Sequence, residues 1–100
     1  MNHTVYRYEF AESVAIEDVE AAIVLTVMAV ESLRGSSQVR LDVSHFLDRS
    51  SRRCVIDATT QVGQEFNRLF VGYLDREIGA DEYHVKRMVR STQTSEQPTT

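Results

Sequence analysis

The sequence predicts an α+β fold, a four-stranded antiparallel sheet with two helices on one face. Three observations carry that expectation. Apolar residues recur at every second position near Val5–Phe10, Cys54–Ala58 and Tyr83–Val89. Two longer stretches, Ile16–Arg34 and the one following Thr59-Thr60, carry apolar residues at helical spacing instead. Periods of 2.0 and 3.6 residues belong to strands and helices respectively. The third observation is their order along the chain, strand-helix-strand-strand-helix-strand.

The first strand reads VYRYEF, Val5 to Phe10. Tyr6, Tyr8 and Phe10 share one side, and Val5, Arg7 and Glu9 share the other. Burying the second set would take two charges out of water, so the aromatic side is expected to face the core. The first helix runs from Ile16 to Arg34. Glu17, Asp18 and Glu20 lie in its first turns, where acids suit the positive end of the helix dipole. Arg34 and Gly35 mark its end. Ser13 is a candidate N-cap. Within this helix AAIVLTVMAV, Ala21 to Val30, has nine apolar residues in ten, with Thr26 the exception. The run is too short for a membrane span, which needs about 20 apolar residues.

A loop at Gly35-Ser36-Ser37 leads to a second strand, expected where Val39, Leu41 and Val43 alternate with Arg40, Asp42 and Ser44. The polar run Asp48–Arg52 then forms a turn. A third strand follows, with Cys54, Ile56 and Ala58 on one side, and the short connection implies an antiparallel hairpin. Thr59 and Thr60 are candidate N-caps of a second helix ending near Ile78 and Gly79. Its apolar face holds Val62, Phe66, Leu69, Phe70 and Tyr73. The fourth strand, Tyr83 to Val89, has one irregularity. Arg87 falls on the same side as Tyr83, Val85 and Val89, which places it near an edge with its head in water. This β-α-β-β-α-β succession is the split βαβ arrangement of ferredoxin-like folds. One domain spans residues 1–90. Residues 91–100, STQTSEQPTT, lack a large apolar side chain and are expected to be disordered.

Composition narrows the function. The 100-residue chain has 11 Lys+Arg against 15 Asp+Glu, a formal charge of −4. That balance weighs against nucleic acid and against anionic membranes as partners. Cys54 is the single cysteine, so no internal disulfide forms, as suits the cytoplasm. The N-terminus lacks the features of a signal peptide. His3, His45 and His84 fit no zinc spacing, and no cofactor or metal site is expected. Cys54 shares the side of Ile56 and should be a buried hydrophobe, not a nucleophile. Ala11-Glu12-Ser13, before the first helix, has no glycine and carries an acid, which disfavours an anion-binding loop there. Strand three has no aromatic residue on which a base could stack. Asp42, His45, Asp57 and His84 are polar groups on or near the open sheet face, where mixed charges suit cross-strand pairing.

One feature is not explained by folding. Ile16, Val19, Ile23, Val27 and Val30 form a stripe sufficient to pack helix one on the sheet. Ala21, Leu25, Met28 and Ala29 fall roughly opposite, where polar residues belong on a solvated helix. Contiguous exposed apolar surface marks an interface, and the commonest form is a symmetric homodimer. The expectation is therefore a non-catalytic, cytoplasmic module that associates through that helix face or the open sheet face, with itself or with another protein. Two alternatives remain open. One is a nucleic-acid accessory protein contacting its partner through the Arg49, Arg52 and Arg53 turn. The other is a small-molecule sensor with its ligand at a dimer interface.

Overall fold

A computed structural model describes residues Asn2–Ser91. The tail from residue 92 to 100, expected to be disordered, lies outside the described residues. The elements are β1 (Asn2–Phe10), α1 (Ile16–Arg34), α2 (Ser36–Asp42), β2 (Ser44–Asp48), β3 (Arg53–Asp57), α3 (Gln61–Glu77), a short 3-10 turn (Ala80–Glu82) and β4 (Tyr83–Ser91). The protein is thus α+β, with one four-stranded sheet in the order β2-β3-β1-β4. Every neighbouring pair is antiparallel.

The register sorts the side chains. Tyr8 lies opposite Cys54 and Tyr6 opposite Ile56 across β1 and β3, while His45 and Leu47 of β2 face Ile56 and Cys54. These residues share one face. Tyr8, Phe10, Cys54 and Ile56 are buried there with Ile16, Val19, Ala22, Ile23 and Val30 of α1 and Phe66, Phe70 and Leu74 of α3. The aromatics of β1 therefore belong to the core, as the cost of burying Arg7 and Glu9 requires. Arg7 and Glu9 occupy the other face, where Glu9 lies 3.7 Å from Arg7 and 3.4 Å from Arg53.

Helix α1 has the expected bounds, but its start differs. Ala15 is the N-cap, without a side-chain cap, and Asp18 N donates to Ala15 O. Ser13 instead donates its hydroxyl to Glu82, 2.6 Å away, tying the β1–α1 loop to the 3-10 turn. Gly35 ends the helix at φ 86°, its N–H reaching Glu31 O at 2.8 Å. A left-handed φ of this kind is the usual role of glycine at such a stop.

The second strand is displaced from its expected position. Val39–Asp42 belong to α2, and β2 begins at Ser44. Val39 N donates to Gly35 O and Val43 N to Val39 O, the spacing of a helical turn. Val39 is buried whereas Leu41 is 83% exposed, so the two do not share a face. The hairpin itself is present, with β2 antiparallel to β3. Asp48 shapes its turn by accepting from the N–H groups of Ser50 and Ser51, an Asx turn. Arg52 closes it at φ 60°.

Thr60 caps α3, its Oγ1 accepting from Gly63 N at 2.9 Å while donating to Asp42 O at 2.7 Å. Asp57 orients the approach by accepting from Thr59 N at 2.8 Å. Helix α3 ends at Glu77, and Gly79, at φ 93°, bonds back to Leu74 O. β4 runs through Ser91 along the sheet edge, with Arg87 opposite Tyr6 and exposed. Among the described residues no helix is long and apolar enough to cross a membrane.

Candidate functional site

The core side of α1 comprises Ile16, Val19, Ala22, Ile23, Thr26 and Val30, with Val27 half-buried. Thr26 is fully buried without cost in unmet hydrogen bonds, because its hydroxyl donates to Ala22 O at 2.7 Å. The opposite side is open. Ala21 is exposed, Leu25 is 41% and Met28 59% exposed, and Ala29 is half-buried. Helix α3 does not cover them. Its Leu74 lies in the core, and its Val71 and Ile78 pack against the core cluster.

Asp18, Ala21, Leu25, Met28 and Ser32 follow one another at steps of three, four, three and four residues and are all exposed. That 3.5-residue rhythm keeps them in one line, a seam along the exposed side of α1. Val24, 55% exposed, lies beside the seam and leads into a shallow groove it shares with Ile23, His45 and Phe46. Phe46 is 64% exposed on the edge strand β2. The sequence pattern did not single out Val24 or Phe46. The only available signal for Phe46 was an apolar residue next to a turn.

The arginine turn has internal partners. Arg49 binds Glu20 and approaches Glu17 at 3.5 Å. Arg52 donates to the carbonyls of Ala11, at 2.7 Å, and Val14, and so staples the loop before α1. Arg53 pairs with Glu9. Each guanidinium therefore neutralises or satisfies a group of this chain.

The candidate polar residues do not form one centre. Asp42 accepts from Gln38, Asp57 from Thr59, and His84 lies opposite Glu9 on β4. His45 is on the helix side of the sheet, its ring stacked on Phe66 with centroids 5.4 Å apart. Among the described residues no three His, Cys, Asp or Glu side chains gather so as to hold a metal ion. Cys54 is fully buried, and burial pushes its thiol up to about 12. It has no thiolate with which to attack at neutral pH.

The edge position of His45 leaves part of the residue in water, but contact with Phe66 partly desolvates its ring and lowers its pKa from 6.5. The unfolded chain then binds a proton at the ordinary value, while the folded chain resists protonation until lower pH. The stability contribution is complete above 6.5 and is lost as pH falls through the window just beneath it. The urea midpoint should decrease across that window, and His45→Phe, which keeps the stack, should flatten the decrease. Equal slopes for the two proteins would contradict this account.

No protein-family model matches the chain, and no curated protein matches it in sequence. Among solved structures it is similar to the crystal structure of protein SP2199 from Streptococcus pneumoniae, at 10% identity and a TM-score of 0.43, covering 97% of this chain and 94% of that one. A likeness of that degree defines neither fold family nor function.

Proposed function

We propose that this protein is a non-catalytic interaction module whose partner is a second copy of itself, joined through the exposed side of α1. The observation that supports this most is the Leu25–Met28 seam, whose two residues stay 41% and 59% exposed among the described residues. A two-fold axis between Leu25 and Met28 sets each against the other in the partner copy. The same axis sets Ala21 against Ser32, small residues that let two helices approach closely. Antiparallel pairing also aligns the helix dipoles favourably and brings the acidic first turn, with Asp18, beside the last turn of the other helix, with Arg34. The surface is thus complementary to itself, as a two-fold interface must be. Val24 and Phe46 extend its apolar area at the rim.

The ferredoxin-like reading of the fold belongs to this proposal. From the β4 edge the order is β4-β1-β3-β2, with α1 and α3 each linking two strands separated by one between them. Helix α2 is then an insertion between α1 and β2. One buried cysteine supports action in a reducing cytoplasm.

Light scattering of the full chain should give the mass of a dimer, and Leu25→Asp with Met28→Asp should halve it. Both positions are exposed on one copy, so the variant should keep its helical circular dichroism. A wild-type chain that stays monomeric at high micromolar concentration would overturn the proposal, as would a folded double variant of unchanged mass.

A further inference from the structure

We propose that the cleft between β1, β4 and α3 binds a small organic anion, a carboxylate or phosphate ester carried on an apolar body. The cleft has a volume of about 420 Å³, within the usual range for small-molecule sites of about 300–1,000 Å³. Its walls supply two kinds of chemistry. Tyr6 and Val71 offer apolar surface, and Arg68, Arg87, Gln64 and Asn67 offer hydrogen-bond donors.

No carboxylate lines the cleft, although the chain as a whole carries a charge of −4. Among the described residues neither Arg68 nor Arg87 forms an ion pair, which is also true of Arg40, Arg52 and Arg76, but only Arg68 and Arg87 of these line the cleft. Glu65 feels the charge of Arg68 but does not line the cleft, and two guanidiniums on one concave surface suit an oxyanion, which they can engage through paired N–H donors. Their placement follows from the secondary structure. Arg87 faces Tyr6 in the β1–β4 register and so lies on the helix side of the sheet. Gln64, Arg68 and Val71 follow at four and three residues along α3, which puts them on one side of that helix.

Asn67 is oriented for the same task. The Tyr8 hydroxyl donates to its Oδ1. Burial raises the Tyr8 pKa well above the ordinary phenol value, so the proton stays in place. The amide oxygen is thereby occupied, and the Nδ2 donors are left for the cleft. Arg87 was the one side chain that broke the alternation of β4. A ligand gives that charge a role on the side of the sheet that carries the buried Tyr8, Cys54 and Ile56.

The test is a titration of the full chain, labelled with nitrogen-15, with sodium benzoate and separately with phenyl phosphate, each against sodium chloride at matched ionic strength. At least one probe should shift the amides of Tyr6, Gln64, Arg68 and Arg87 saturably, and the stronger probe identifies the preferred head group. Arg87→Gln should weaken that binding about tenfold or more, as loss of a charge-assisted hydrogen bond predicts. Gln64→Glu, which places an acid in the cleft, should do the same if the first variant is poorly folded. Lys86→Gln, one residue away on the other face of the sheet, should leave binding unchanged. No saturable shift from either probe, a response equalled by sodium chloride, or equal binding by a folded Arg87→Gln variant would overturn the assignment. The cleft shares no residue with the α1 seam, so this outcome is independent of the oligomeric state.

Discussion

Phe70→Ala should cost about 3–5 kcal/mol of folding stability, the range for truncating a fully buried phenylalanine. Phe70 is wholly buried on α3 and meets Tyr8 edge-to-face, with ring centroids 5.1 Å apart at 88°. It joins the helix layer to the central strand, because β1 pairs with both β3 and β4. Removing its ring opens a cavity beside Tyr8, whose hydroxyl is already committed to Asn67 and which therefore cannot turn freely to fill the space. Domains of this size have a total stability of roughly 5–15 kcal/mol, so the variant should be largely destabilised at ambient temperature. A urea melt should show a large decrease in midpoint. A loss below about 1.5 kcal/mol, the level of a tolerated hydrophobic swap, would mean that the core closes over the gap.

The legibility of the fold varied with the length of each pattern. Helix α1 was readable to its exact ends, since 19 residues of one period are framed by Glu17 and Asp18 at the start and Arg34 and Gly35 at the finish. Helix α2 was not. Val39 and Val43 are four residues apart and share a face in a strand as well as in a helix. Only Leu41 distinguishes the two, and its exposure is a tertiary fact. A window of five residues cannot separate a period of 2.0 from one of 3.6. Strand β2 was hidden for a related reason. SHFLD places His45 and Leu47 on the packed side, and a histidine does not announce a core-facing position.

The candidate surfaces divide along the same line. Leu25 and Met28 could be located from sequence because the side of a helix opposite its core stripe follows from angle alone. The neutralisation of the arginine turn could not, because Glu9, Glu17 and Glu20 lie 29 to 44 positions earlier in the chain and meet Arg49 and Arg53 only in the fold. Arg87 occupies an intermediate position. Its break in the β4 alternation was visible, but its neighbours Gln64 and Arg68 come from α3, and sequence gives no means of pairing a strand with a particular helix face. An exception within a local pattern can therefore mark a site before its other members are known.

Gly63→Ala and Gly72→Ala should have opposite signs, although both glycines lie within α3. Alanine in place of glycine usually stabilises a helix interior by about 1 kcal/mol, through the lower conformational entropy of the unfolded chain. Gly72 is exposed, and a Cβ there would meet nothing within 4 Å, so this gain should be realised. At Gly63 a Cβ would lie 2.5 Å from the backbone oxygen of Asp57 and 3.1 Å from Thr60 Oγ1. Neither neighbour yields easily. The Asp57 oxygen belongs to the end of β3, and Thr60 Oγ1 is the helix cap, bonded to both Gly63 N and Asp42 O. The first turn of α3 would have to lift from the sheet, loosening the cap and the contact with α2 together. Overpacking of this kind costs about 1–3 kcal/mol, which outweighs the usual gain. Urea melts of the two variants should therefore move to opposite sides of the wild-type midpoint. If Gly63→Ala were also stabilised, the close approach of α3 to the end of β3 would not be a constraint on the fold.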